Sequence, residues 1–172
     1  MARLGDVCEI ARGGSPRPIQ DFLTNSDDGV NWIKIGDTAV GGKYITSTSE
    51  KIKPEGVKRS RYVNAGDFLL SNSMSFGRPY ILKTNGCIHD GWLVLGDIEK
   101  VFNADFLYYA LSSPLMHDLM SRLATGSTVK NLNSDLVKTL IFPIPPISEQ
   151  KRIASEIEST TRPLEEIVVN LN

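Results

Sequence analysis

Phe142-Pro143-Ile144-Pro145-Pro146-Ile147, followed at once by Ser148-Glu149-Gln150-Lys151-Arg152-Ile153-Ala154, is the stretch that decides how this chain is organised. Prolines at 143, 145 and 146 cannot sit inside a helix or a central strand, because each lacks an N–H and has a fixed φ. They make a stiff extended connector. The chain therefore divides into a body at 1–142, a connector at 143–147 and a tail at 148–172. Ser148 reads as an N-cap, and the acid and amide after it suit the positive end of a helix.

Within the tail, apolar or near-apolar residues fall at Ile153, Ile157, Thr160, Leu164, Ile167 and Leu171. The alternating steps of four and three are those of a helix that packs along another helix in a coiled coil. A lone helix of this length is marginal in water, so its stripe needs a partner, either the body or another chain. Pro163 removes the bond to the Ser159 carbonyl and is expected to kink the helix.

The body reads as short strands with a few helices. Strands are expected over Val30–Ile35, Lys43–Ile45, Asp67–Ser71, Tyr80–Leu82 and Gly91–Leu95, which are rich in β-branched and aromatic residues. Turn signals separate them, among them the pairs Gly13-Gly14 and Gly41-Gly42. Asn103 caps a helix whose Phe106, Leu107, Ala110 and Leu111 share a face, and Pro114 interrupts it. A second helix carries Leu115, Leu119, Met120 and Leu123, and a third short one spans Asn133–Leu140. Strands and helices do not alternate regularly, so the expected class is α+β rather than a doubly wound sheet. Trp32, Phe68 and Trp92 lie in strand patterns and are expected in the core.

With 172 residues, the chain has room for one well-buried domain. Nineteen basic and 20 acidic residues leave a net charge of −1, which argues against nucleic-acid binding by bulk charge. No apolar run approaches the ~20 residues needed to span a bilayer. Two cysteines, Cys8 and Cys87, cannot make a disulfide framework, and the expected location is the cytoplasm.

Catalytic signatures are few. There is no GxxxxGK[ST], GxGxxG or GxSxG. Cys87 and His89 are close in sequence, but Cys8 and His117 are too scattered to complete a zinc site. Glu149-Gln150-Lys151 has the form of a nuclease metal motif, yet it falls where an acid serves the helix dipole. Positive signals lie elsewhere. From Lys43 to Arg61, six basic residues (Lys43, Lys51, Lys53, Lys58, Arg59, Arg61) face only Glu50 and Glu55. Two polar stretches, 71–78 and 125–131, read as loops rich in hydroxyls and amides that can meet phosphates or base edges.

Several motifs, in order, resemble one target recognition domain and its adjoining helix from the specificity (S) subunit of type I restriction-modification enzymes. They are Leu4-Gly5-Asp6-Val7 with Arg12-Gly13-Gly14-Ser15-Pro16, Trp32-Ile33-Lys34-Ile35-Gly36-Asp37, Gly66-Asp67-Phe68-Leu69-Leu70-Ser71 with Phe76-Gly77-Arg78, and Gly126-Ser127-Thr128. The proline connector and Ser148–Ala154 complete the set and are the most specific part. The resemblance implies a non-catalytic reader of double-stranded DNA that recognises one half of a split target. Its helix would act as spacer and dock methyltransferase and restriction subunits. S-adenosylmethionine, magnesium and ATP would then belong to those partner subunits, with no cofactor on this chain. A full S subunit carries two such domains, so the expected assembly is either a homodimer through the helix or one domain of a longer chain.

Chemistry then nominates residues. Lys43, Lys58, Arg59 and Arg61 are candidate phosphate contacts, and Ser73, Ser75, Arg78, Lys130 and Asn131 candidate groove contacts. Arg12 and Ser15, beside the opening glycines, are expected to face DNA too. A solvated surface role competes with each. Ile153, Ile157, Leu164, Ile167 and Leu171 are the candidate dimerisation seam. The rival classes are a small DNA-processing enzyme and a helix-mediated interaction module that never touches DNA.

Overall fold

The computed structural model describes residues 1–39, 41–72, 76–124 and 132–169, without the side chains at 123 and 162–169. In chain order the elements are β1 (Ala2–Arg3), α1 (Leu4–Val7), β2 (Glu9–Arg12), β3 (Leu23–Thr24), β4 (Val30–Ile33), β5 (Tyr44–Ile45), β6 (Glu50–Ile52) and α2 (Pro54–Val57). There follow β7 (Arg61–Val63), β8 (Phe68–Ser71), β9 (Pro79–Leu82), β10 (Gly86–Ile88) and β11 (Trp92–Gly96). The chain continues with α3 (Ala104–Ser112), α4 (Pro114–Leu123), α5 (Ser134–Lys138), β12 (Ile141–Phe142) and α6 (Ile147–Val169). The class is α+β.

Two five-stranded sheets carry the body, in the orders β2-β11-β8-β9-β5 and β3-β6-β4-β10-β7. Both are mostly antiparallel; β5 with β9 and β10 with β4 are parallel. The first sheet is covered on both faces, which is why Phe68-Leu69-Leu70 and Trp92-Leu93-Val94-Leu95 are unbroken apolar runs. The two-residue period sorts their side chains. Phe68, Leu70, Ile81, Leu93 and Leu95 face a layer of helices that contributes Phe106, Leu107, Leu111 and Met120. Leu69, Tyr80, Leu82, Trp92 and Val94 face the second sheet, meeting Ile33, Val63 and Ile88. Trp92 ties the sheets together, its indole Nε1 donating to the Ile33 carbonyl at 3.2 Å. The second sheet's outer face holds a small cluster of Trp32, Ile52 and Cys87.

Helix boundaries follow capping chemistry. The Asn103 side chain accepts from Phe106 N–H at the start of α3, Ser113 from Met116 N–H at the start of α4, and Asn133 from Leu136 N–H at the start of α5. Pro114 interrupts the run as expected: α3 ends at Ser112, Ser113 before the proline is extended, and Pro114 itself opens α4, where a missing N–H costs no bond. The strand expected over Val30–Ile35 stops at Ile33, because Ile35–Asp37 turns into a 3₁₀ helix whose Asp37 carboxylate accepts from Lys34 N–H. Helix α6 begins at Ile147, with the Pro146 carbonyl accepting from Glu149 and Gln150 N–H, so Ser148 lies inside the first turn and does not cap it.

The seam is altered where its side chains are described. Gln150 and Ala154 are buried and Ile153, Ile157 and Thr161 half-buried, while Thr160 is exposed. That stripe drifts by one residue from the sequence pattern, as a 3.6-residue helix lying on its own body should. Ile153 is thereby occupied within the chain. The backbone of α6 passes through Leu164 and Ile167, and Leu171 lies outside the described residues.

Candidate nucleic-acid interface

Strand registers bring the ends of many strands to one edge of the body. In the first sheet Arg12 ends β2 beside the start of β11, and Ser71 ends β8 opposite Trp92. Arg78 immediately precedes β9 and its N–H donates to Ser71 Oγ at 2.9 Å. In the second sheet Arg61 begins β7 opposite Ile88, the end of β10. The segment His89-Asp90-Gly91 crosses from one sheet to the other at this edge.

Gly13 and Gly14 strap the two sheets there. Gly13 N–H donates to Trp92 O at 2.9 Å and Gly14 N–H to Ile88 O at 3.1 Å. A Cβ on Gly13 would lie 2.1 Å from the His89 carbonyl oxygen. The expectation of a simple turn pair is corrected: neither residue has a positive φ, and close backbone approach is what requires glycine at 13. In the second pair, Gly41 has a φ of 73°, the left-handed conformation that a turn asks of glycine.

Asp90 is the hub of the corner. Its carboxylate accepts from Ser15 Oγ at 2.8 Å and from an Arg17 guanidinium N–H at 3.0 Å. Its carbonyl accepts from Arg12 Nε at 2.9 Å and from Asn72 Nδ2 at 2.8 Å. The Ser15 hydroxyl chiefly, against the opposing effect of burial, holds the Asp90 carboxyl below its usual pKa, with Arg17 assisting. Arg17 and Asp90 are exposed enough that their pair adds at most about 1 kcal/mol. Arg61 Nε donates to Arg12 O at 2.9 Å, which uses one of its five donors. Arg59 lies over the Phe22 ring at 5.2 Å, and its backbone adjoins Gly14.

Asn72 joins this corner to both polar loops. It directly precedes residues 73–75, and its carbonyl accepts from Leu132 N–H at 2.9 Å, directly after residues 125–131. Both loops expected to meet DNA thus spring from one point. Among the described residues, buried Asn72 Oδ1 meets no hydrogen-bond partner. Beside the corner, Ser15, Arg17, Trp32, Lys34, Ile35 and His89 line an open cleft of about 830 Å³. His89 is held neutral, mainly by burial, and its pKa is lowered. Backbone N–H groups of Gly91 and Ile35 face its two ring nitrogens at 2.8 and 3.2 Å. A neutral ring accepts at one of them, a protonated ring at neither.

The nominated residues therefore separate. Arg12, Ser15, Arg59, Arg61 and Arg78 gather at one edge, the arginines all exposed, with exposed Lys58 next to Arg59. Lys43 is engaged elsewhere. Its ammonium pairs with Asp105 at 2.6 Å and lies 4.8–5.6 Å from the Tyr44, Tyr108 and Tyr109 rings. Burial acts to lower its pKa, but the hydrogen bond and charge of Asp105 outweigh it and hold the value above the usual one. A lysine so occupied is a tie between β5 and α3, and it leaves the set of phosphate candidates. Ser73, Ser75, Lys130 and Asn131 lie outside the described residues. Arg17, Asn72 and Asp90 were missed; the nearest signals were the guanidinium following Gly13-Gly14-Ser15 and the glycine after Asp90. Glu149, of the nuclease-like trio, is bound in two places by Arg152 on the exposed side of α6.

Comparison with known proteins agrees with this architecture. A family model described as "Type I restriction modification DNA specificity domain" matches residues 1–170. The chain is 22% identical over 166 residues to the type I restriction enzyme EcoKI specificity subunit of Escherichia coli (strain K12), covering 92% of this chain and 35% of that protein. It is 29% identical over 152 residues to the EcoBI specificity subunit of Escherichia coli, covering 84% and 30%. The HsdS subunit from Thermoanaerobacter tengcongensis shares the fold with a TM-score of 0.74 at 19% identity, covering 99% of this chain and 39% of that one. The chain thus spans about a third of the length of the curated relatives it matches.

Proposed function

Since the chain belongs to the type I restriction modification DNA specificity domain family, we propose that it reads one half of a bipartite target in double-stranded DNA. The observation that carries this reading is the gathering of Arg12, Arg17, Arg59, Arg61 and Arg78 at one edge, around the roots of two polar loops. Guanidinium groups supply phosphate contacts and bidentate reading of guanine, and loops supply hydroxyls and amides for base edges. A chain of net charge −1 gains little from bulk attraction, so its affinity rests on this local edge and on partner subunits.

In this reading the chain is a cytoplasmic, non-catalytic component. Methyltransferase and restriction subunits dock on it and bring S-adenosylmethionine, magnesium and ATP. A second reader, in the same polypeptide or in a second copy joined through the far half of α6, completes the site. The test is duplex binding at low and moderate salt, with and without a methyltransferase subunit, together with methylome sequencing of cells that carry or lack the gene. A split methylated motif that depends on the gene is expected. Metal-dependent cleavage by the purified chain would favour the enzyme class, and helix-mediated assembly without any duplex binding the interaction module; either overturns the proposal.

A further inference from the structure

Gln150 is fully buried, and its amide joins α6 to the segment that leads into α3. Its Nε2 donates to Val101 O and to Pro145 O, both at 2.9 Å. Its Oε1 accepts from Asn103 N–H at 2.8 Å. Asn103 is itself the cap of α3, so one residue holds the start of α3 with its side chain and the start of α6 through its backbone. Around this latch Ala154 is buried and Ile153 packs on the main core. Further along, Glu158 and Thr161 share a cleft with Lys43, Tyr108 and Tyr109.

A buried amide is a costly way to join two helices, because an apolar side chain of similar size would pack there without the loss of hydration. Three directional bonds to backbone atoms specify an angle, which apolar packing leaves looser. We propose that Gln150 is the positioning residue that sets the angle at which α6 leaves the reading body, and so the gap between the two half-sites. The role in gap selection rests on the bipartite reading above; the latch itself does not. The leverage is large. Helix α6 has 23 residues and is about 34 Å long at 1.5 Å per residue. A swing of about 6° at its root moves its far end by about 3.4 Å, the rise of one base pair.

Two measurements test this. Spin labels on Lys83→Cys and Thr160→Cys, both exposed, report the distance between body and helix; the native cysteines are buried. Gln150→Met keeps the volume and removes all three bonds, and the distance distribution should broaden or shift. Gln150→Glu keeps the bond from Asn103 but turns an acceptor toward two carbonyls. It should broaden the distribution at neutral pH and narrow it again once the acid is protonated and can donate. A Gln150→Met distribution that superimposes on wild type overturns the latch. The second measurement is methylome sequencing of cells carrying wild type or Gln150→Met, with thermal denaturation confirming that both fold. The variant should modify the same half-sites but accept gaps one base pair longer or shorter, with gap selectivity falling roughly tenfold, the equivalent of one net hydrogen bond. An unchanged gap with a broadened distance overturns the gap role. Absence of gene-dependent methylation in wild type removes the bipartite reading, and the gap role with it, while the distance measurement still decides the latch.

Discussion

Replacing Gly13 by alanine tests the strap that builds the corner. An added Cβ would lie 2.1 Å from the His89 carbonyl oxygen and 2.9 Å from the Ile88 carbonyl oxygen. Both obstacles are backbone, so no side chain can rotate away. The strap has to retreat by about 1 Å to reach van der Waals distance. That movement strains or breaks the bonds from Gly13 to Trp92 and from Gly14 to Ile88. Two backbone bonds at roughly 0.5–1.5 kcal/mol each, with partial exposure of their partners, come to about 3 kcal/mol. For a chain of this size that is a fall in Tm of about 6–12 °C, leaving a folded protein. Gly36→Ala is the internal control: nothing lies within 4 Å of its Cβ position and its φ is not positive. It should be neutral or stabilising by up to about 1 kcal/mol through the unfolded state. Differential scanning calorimetry of the three proteins measures the contrast. A Gly13→Ala protein that melts within a degree or so of wild type would show that the strap is not confined as described.

Three further outcomes are expected. Arg61→Ala should weaken duplex binding for all sequences and reduce the salt slope by about 0.9 per lost phosphate contact, with little change in Tm; Lys43→Ala should lower stability by about 1–2 kcal/mol through Asp105 and the tyrosine rings and leave the salt slope alone. The reverse pattern, read by anisotropy titrations and melting curves, would undo the division made between these two cations. His89 should titrate in NMR below its ordinary 6.5. The unfolded chain then binds the extra proton first, so stability is full above pH 6.5 and falls as pH drops from there toward the folded value; a ring that titrates at or above 6.5 contradicts its burial. Burial pushes the Cys8 thiol up to about 12, so Cys8 should resist thiol reagents at pH 8 until the protein unfolds, and rapid labelling of the native chain would contradict this.

Much of this molecule is legible locally. Asn103, Ser113 and Asn133 cap helices because a short polar side chain satisfies an open N–H two or three residues away, a relation contained in the sequence. The apolar runs at 68–70 and 92–95 announce a sheet covered on both faces, since both alternating sets of side chains are apolar. The proline connector likewise separates the last strand, β12, from α6. Short polar strands escaped notice: Glu50–Ile52 and Arg61–Val63 are too brief and too charged to show a period, and their pairing partners make them strands. The site escaped more fully. Asp90 meets Ser15 and Arg17 across more than 70 positions, and Gln150 meets Val101 and Asn103 across nearly 50. Composition could nominate Arg12 and Arg61 but could not remove Lys43, whose Asp105 partner is 62 positions away. Short-range hydrogen bonding and periodicity are written along the chain; which distant groups share a corner depends on strand order and register, and those emerge from packing the whole core at once.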